Sequence, residues 1–495
     1  MTSVSRRRML GGAVVSAASL AALPATSASA APGDPGEPLE VDVCVVGGGL
    51  SGLTAARDLV AAGKSVVVLE GRDRAGGRVY GMTLGDGTVT EGGAEFIGPT
   101  QDRIAALAQS LGVQTFPTYN TGKNVYYRSN KRSTYATDGL LGAVPPDWGV
   151  VDLELAMTTL SGMAATITPG RPWTAAKAEE WDSQTFHTWS RLNTVSAGAR
   201  FLFDAFISST LSVRSKEVSL LYVLNYIASA GNAANAGNID RLINTAGGGQ
   251  ELRITGGSQE IPLRLAAQLG DRVKLNTRVR RITLDGGPRA LVESDALQVS
   301  AKRVIVAMSP QQTASIEFRP GLPASRAQLI QRFPMGSVAK FVAVYPTPFW
   351  RADGLTGQAV ADSGAIDATF DNSPADGSRG LLMGFVNQTN MRRLHGKSDA
   401  EIATACLASF VKLFGAQAAA PSHYAYHLWD ADPFSGGGPT GIAAPGVLTE
   451  FGEALRAPHA LIHWAGTETA DFWTGYMDGA VRSGERAASE VVALV

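Results

Sequence analysis

The chain has 495 residues, 45% of them hydrophobic and 18% charged, with a formal net charge of −1. That length allows two domains and a sizeable core, and the near-neutral balance excludes the basic surface that nucleic-acid binding requires. Two cysteines, and no Cys/His group at metal-ligand spacing, exclude a disulfide framework and a zinc site.

The first 30 residues read as an address. Ser5-Arg6-Arg7-Arg8-Met9-Leu10 precedes a mildly apolar run from Gly11 to Leu23, and Ala28-Ser29-Ala30 offers a small-residue cleavage site. That order is the order of a twin-arginine signal peptide and predicts export, to a periplasm or beyond, of a protein already folded. The apolar run is too short to stay as a membrane anchor. The chain stops at Val495 directly after its last expected helix, so no anchoring tail is expected. Residues 31–39 form a Pro/Gly/acid linker.

Val41-Asp42-Val43-Cys44-Val45-Val46 then reads as a buried strand entering a tight glycine turn. Gly47, Gly49 and Gly52 give G-x-G-x-x-G spacing, with Leu50 and Ser51 inside it, and a helix follows over Leu53–Gly63. Backbone N–H groups at such a helix start can cradle a pyrophosphate. The strand Val66–Leu69 ends on Glu70, 18 residues after Gly52, where a carboxylate can accept bonds from ribose hydroxyls. Strand, turn, helix, strand and acid in that order predict a dinucleotide site. Gly71, Arg72, Gly76, Gly77 and Arg78 follow at once and bring further N–H groups and guanidinium to the phosphates. A glycine-rich loop, Glu91 to Gln101, precedes a helix over Asp102–Leu111, and its Gly93, Ala94 and Glu95 can approach a bound ring closely.

The texture changes from about residue 117. Strands are expected at Asn124–Arg128 and Arg132–Ala136, then helices at Val151–Ile167, Ala175–Glu180, Thr185–Arg191, Val195–Ser209 and Ser219–Ala228. Helix Glu260–Leu269 leads to a strand Arg272–Leu275, and Asp285-Gly286-Gly287 marks a turn between two short strands. Val304–Met308 is apolar throughout, as in a central sheet strand. Val338–Tyr345 and Leu381–Phe385 read as strands and Asp399–Phe414 as an amphipathic helix. A strand Leu461–Gly466 and a helix Tyr476–Val492 close the chain. Cys44 in its strand and Cys406 in its helix read as buried thiols.

Several motifs in order carry a resemblance. They include the glycine turn with Gly76-Gly77-Arg78, Gly98-Pro99-Thr100-Gln101, Gly248-Gly249-Gln250-Glu251 and Gly336-Ser337-Val338-Ala339-Lys340. Glu217-Val218-Ser219, Gly256-Gly257-Ser258, Gly270-Asp271-Arg272-Val273-Lys274-Leu275, Pro348-Phe349-Trp350-Arg351 and Gly466-Thr467-Glu468-Thr469 with Trp473-Thr474-Gly475-Tyr476-Met477 complete the set. From about residue 40 to 492 the chain resembles the flavin amine oxidase family, close to monoamine oxidase. The resemblance implies an α/β fold: an FAD-binding Rossmann-like domain of the glutathione-reductase kind with an inserted α+β substrate domain. The first would take residues 40–116, 255–329 and 432–495, the second 117–254 and 330–431. It also implies FAD, oxidation of a primary or secondary amine to an imine, and electrons passing to O2 to give H2O2.

Site roles follow from the same resemblance. Lys340 matches a lysine bonded through water to flavin N5, and Tyr476 one wall of an aromatic cage that aligns the amine. Met477 begins a helix aimed at the flavin's C2 carbonyl. Gly466, Thr467 and Glu468 would hold ribityl or phosphate groups, Val273 would offer its backbone to adenine, and Trp429 would sit near the flavin. The chain departs from the family pattern at Gly438, in place of a covalent flavin cysteine, and at Pro439, in place of the second cage tyrosine. FAD is therefore expected to be non-covalent and the pocket more open. Phe96, Ser209, Ile243, Gln250, Ala368, Met383, Phe385 and Pro439 are the expected pocket wall. The expected partners are a small-molecule amine and O2, with a homodimer compatible. Alternatives are a diamine or cyclic-amine oxidase, with Asp362 or Asp367 holding a distal ammonium, and a dehydrogenase that uses another acceptor.

Overall fold

The computed structural model describes residues 37–137, 145–147 and 149–495. The twin-arginine segment and most of the linker lie outside the described residues.

An eight-stranded sheet is built around the glycine turn. Leu39–Val46 lies between Val66–Leu69 and Gln298–Ala307, parallel to both. Val273–Lys274 extends one edge beyond Val66–Leu69, and Ile462–Ala465 pairs in parallel with the end of Gln298–Ala307. The antiparallel strands Val279–Leu284 and Ala290–Ser294, with Glu317–Arg319, complete the sheet. Alternation explains the apolar runs. Val43, Val45 and Val68 face the helices Leu50–Ala61 and Met477–Val492, whose Leu53, Leu59, Val481 and Val491 pack on them. Cys44, Val46, Val67 and Leu69 face the opposite core with Val292 and Trp464. With both faces buried, such strands carry apolar residues at successive positions. Cys44 and Cys406 are both buried free thiols, as expected.

A seven-stranded sheet runs in the order His423–Leu428, Val338–Tyr345, Gly380–Asn387, Ala368–Asp371, Leu355–Ala361, Lys123–Arg128, Lys131–Ala136. One face packs on the helix Asp399–Phe414 through Phe341, Phe410 and Leu413. Helices Val150–Ala164, Phe186–Asn193, Ala197–Leu211 and Leu220–Ser229 share a separate core with Phe333 and Trp473. The expected helices and strands occur with ends shifted by a few residues. Leu355–Ala361, Ala368–Asp371 and His423–Leu428 are strands that periodicity did not reveal. The first carries a left-handed Gly357 and a register shift, which breaks the alternation that periodicity detects.

The helices Leu50–Ala61 and Met477–Val492 approach closely where Gly484 meets the backbone of Ser51. A Cβ on Gly484 would stand 2.3 Å from the Ser51 oxygen. Gly484→Ala therefore overpacks this contact, at a cost of about 1–3 kcal/mol. A clear fall in thermal midpoint is expected by calorimetry, and an unchanged midpoint would show that the helices can separate freely.

Candidate active site

The carboxyl ends of Leu39–Val46, Val66–Leu69 and Gln298–Ala307 open into one cavity of about 710 Å³. The chain leaves its first strand through Gly47, at φ 107°, a conformation glycine takes without strain. Gly49 then caps the helix Leu50–Ala61 without any side-chain bond to its N–H groups. Glu70, 4% exposed, accepts from the Gly48 N–H at 2.6 Å and the Arg72 N–H at 2.8 Å. The Gly76 N–H donates to the Gly48 carbonyl at 2.8 Å, strapping the second glycine loop to the first. Arg72 donates to Asp432 and Ser435 at 2.7 and 2.8 Å.

Arg78 donates to both oxygens of Glu468, at 2.6 and 3.1 Å, and to the Pro439 carbonyl at 2.8 Å. Burial raises the pKa of the Glu468 carboxyl, but Arg78 outweighs it and holds the group below the ordinary carboxylate range. This pair is a bidentate clamp, the strong form of a charge-assisted bond.

Most of the expected cofactor residues line this cavity: Gly47, Gly49, Leu50, Ser51, Glu70, Gly71, Arg72, Gly76, Gly77, Arg78, Gly93, Ala94, Glu95, Trp429, Gly466, Thr467, Tyr476 and Met477. Three do not. Gly52 is turned into the strand–helix contact, where a Cβ would stand 2.0 Å from the Gly47 oxygen, so its role is close packing. Glu468 lies behind the wall and acts on it through Arg78. Val273 pairs with Val68 at the sheet edge, and Val279, six residues on, lines the cavity instead. Arg278 and Phe434 also line this end. The Arg278 and Arg72 guanidiniums lie 5.6 and 5.2 Å from the Phe434 ring centre.

At the other end, Phe96, Ser209, Ile243, Gln250, Ala368, Phe385 and Pro439 line the cavity as expected. Met383 does not. It is fully buried and packs with Met82, Leu84 and Val342, one layer below the aromatic wall. Asp362 and Asp367 are also absent from the wall. Asp362 instead accepts from the Ser129 N–H at 2.7 Å and Asp367 from the Asn390 amide at 2.7 Å.

Lys340 and Tyr476 share this cavity. Lys340 lies in a strand buried at all eight positions, and its Nζ donates to Glu95 at 2.5 Å. The other Glu95 oxygen is 3.3 Å from Arg253 Nε. Just behind, Glu91 accepts from the N–H and hydroxyl of Ser258 at 2.7 and 2.9 Å. Tyr476 caps the helix Met477–Val492. Its ring stacks on Tyr226 at 5.9 Å and meets Trp473 edge-on at 4.8 Å. Burial pushes the Tyr476 hydroxyl up to about 12, so it stays protonated through the neutral range. Tyr226 also lines the cavity. It sits in Leu220–Ser229, a helix buried at every position, where a tyrosine reads as core.

Burial, with Glu95 close by, pushes the Glu91 carboxyl up to about 7. The folded protein therefore holds a proton that the unfolded chain releases above about pH 4.5. This group contributes its full stability at lower pH and loses it as the pH rises towards 7. Glu91→Gln keeps an acceptor for Ser258 and removes that loss. The variant's advantage over wild type is expected to grow between pH 4.5 and 7 and then level off, as read by thermal denaturation; a pH-independent difference would contradict the assignment.

Comparison with known proteins agrees with this geometry. The family model described as flavin containing amine oxidoreductase matches residues 50–492. The chain is 42% identical over 456 residues to the AofH protein of Mycobacterium tuberculosis, named as a flavin-containing monoamine oxidase, covering 92% of this chain and 97% of that one. It is 36% identical to human amine oxidase [flavin-containing] B, over 92% of this chain and 86% of that one. Putrescine oxidase, solved with putrescine bound, superposes with a TM-score of 0.87 at 32% identity, covering 92% of this chain and 100% of that one. Cyclohexylamine oxidase from Brevibacterium oxydans gives 0.85 at 32% identity, over 92% and 99%. An α/β fold with a Rossmann-like nucleotide end, a glycine-walled cavity and a match over almost the whole described length place the chain in the flavin-containing amine oxidoreductase family, as a monoamine oxidase-like enzyme.

Proposed function

We propose that the protein is an FAD-dependent amine oxidase that holds its cofactor without a covalent bond and uses O2 as acceptor. The observation that carries this reading is the single cavity that runs from Glu70 to Phe385, with Lys340 and Tyr476 both on its wall. The residues present fit FAD. The helix starts at Leu50 and Met477 both open onto the cavity without side-chain caps, leaving N–H groups and positive helix ends for an anionic or acceptor-rich ligand. At Gly49 a Cβ would meet nothing closer than 4.0 Å, so space is left along the backbone there. Glu70 suits a ribose, and Arg72 and Arg78 suit phosphates. Residues 40–116, 255–329 and 432–495 would form the cofactor part, and 117–254 and 330–431 the substrate part.

Bound flavin would take the α-hydrogen with two electrons from the amine, and these, with a proton released from the amine nitrogen, would reduce O2 to H2O2. The chain's own groups orient and polarise. Tyr476 and Tyr226 offer stacked ring faces, Phe96 and Phe385 exclude water, and Lys340 supplies a positive group on the wall where negative charge accumulates. Neither cysteine lines the cavity: Cys44 is buried in its strand and Cys406 in its helix. That supports a non-covalent cofactor. The twin-arginine pattern supports export of the folded holoprotein. Among the described residues no helix is long and apolar enough to cross a membrane.

Two measurements test this reading. Acid precipitation of the yellow protein is expected to leave all the FAD in the supernatant; flavin retained on the pellet would mean a covalent link. Lys340→Met is expected to slow turnover on the order of 100-fold while the protein still binds FAD. Wild-type rates in that variant would remove Lys340 from the chemistry. A reduced enzyme that reoxidises rapidly with quinones and slowly in air would favour the dehydrogenase alternative.

A further inference from the structure

One face of the seven-stranded sheet forms a wall of the cavity, and its chemistry changes strand by strand. Register places Lys340 beside Phe385, Phe385 beside Ala368 and Ala368 beside Val360. All four line the cavity. Phe370, two residues from Ala368 on the same face, lies 5.2 Å from the Phe96 ring. Gln358 lies two residues before Val360, again on that face. Its Nε2 donates to Asn120 Oδ1 at 2.8 Å, and its Oε1 accepts from the Thr245 hydroxyl at 2.9 Å. On the next two strands Asn124 and Tyr135 pair in register. Asn120, Thr245, Asn124 and Tyr135 line the cavity with Gln358.

Spacing turns this order into a ruler. At about 4.8 Å per strand, Gln358 lies about 14 Å and Asn124 about 19 Å from Lys340 across the sheet. The strands of Phe385 and of Ala368 with Phe370 supply about 10 Å of mainly apolar wall between. The far end is built of side-chain amides and hydroxyls, and among the described residues none of the cavity's carboxylates is hydrogen-bonded to Gln358, Asn120 or Asn124. Glu95 is paired with Lys340 and Arg253, and Glu70 is bonded to backbone at the nucleotide end. Glu154 and Asp240 are exposed helical residues.

We propose that Gln358, Asn120 and Asn124 form a distal subsite for a neutral hydrogen-bonding group. The preferred substrates are then long amines that end in an amide or hydroxyl, about eight methylenes from the nitrogen. The assignment rests on the amine-oxidase reading of the same cavity. An alkyl end would leave the side-chain amides without partners for their remaining donors, and a second ammonium, which only donates, would offer those amide N–H groups no acceptor. An amide end satisfies both donor and acceptor.

Anaerobic rapid mixing of the holoprotein with octylamine, the eight-carbon α,ω-diamine and its mono-N-acetyl derivative, with affinity read from the dependence of the flavin-bleaching rate on amine concentration, tests this on one chain length. The acetylated amine is expected to bind about fivefold to tenfold more tightly than octylamine, with the diamine weakest. Gln358→Leu and Asn120→Ala should each shrink that gap, the second serving where the first does not fold, and Gln358→Glu should shift preference to the diamine. Tightest binding of the diamine by wild type, an equal response to octylamine and the acetylated amine, or a gap that survives both substitutions would overturn the proposal. Bleaching by benzylamine but by none of the three would also overturn it. Bleaching by no amine at all would instead refute the amine-oxidase reading.

Discussion

A buried ion pair ties the two sheets to one cavity. Lys340 stands in a strand with no exposed residue, and its ammonium meets Glu95 at 2.5 Å. Glu95 arrives on the glycine-rich loop, which Glu91 anchors to Ser258 and which pairs at Ile97 with Leu252. Leaving either charge unpaired there would cost several kcal/mol, so loop and strand must keep their relative position. The same constraint brings Phe96, the residue after Glu95, onto the wall against Phe370. A cation at the cofactor end and an aromatic wall at the amine end thus depend on one contact.

The two ends of the cavity divide the charge. At the nucleotide end, backbone N–H groups occupy Glu70, while Arg72 and Arg78 are held by Asp432 and Glu468. These guanidiniums are aimed before any ligand arrives, which lowers the ordering cost of binding a phosphate. Beyond the Lys340–Glu95–Arg253 cluster, whose charges are likewise paired, aromatic faces and amides take over. The wall therefore suits a neutral amine, whose nitrogen lone pair is free to assist loss of hydride from the adjacent carbon.

Much of this was legible in the sequence, for local reasons. The glycine turn, Glu70, and the strand Val338–Tyr345 have periodicity and spacing that depend only on neighbours in the chain. Cavity positions taken from motifs also held where the motif includes the contacting residue, as at Gly77, Lys340 and Tyr476. Failures came where role depends on distant partners. Glu468 looked like a ligand contact, but its partner Arg78 is 390 residues away and stands between it and the cavity. Met383 shares a strand face with Phe385, yet Met82 and Leu84 cover that layer. Val273 was expected to meet adenine, but it pairs with Val68 at the sheet edge, and Val279 at the start of the next strand lines the cavity. The polar subsite was invisible because Asn120, Asn124, Thr245 and Gln358 come from three separate stretches that only the fold brings together.

The central claim is that one cavity holds the flavin ring between Lys340 and Tyr476, with the amine beyond it against Phe385. A crystal structure of the yellow holoprotein soaked with an amine that lacks an α-hydrogen tests it most directly. The account predicts isoalloxazine density flanked by Lys340 and Tyr476, adenosine density beside Glu70, and the amine nitrogen near Tyr226 and Tyr476. Flavin density elsewhere, or an amine bound outside this cavity, would contradict it.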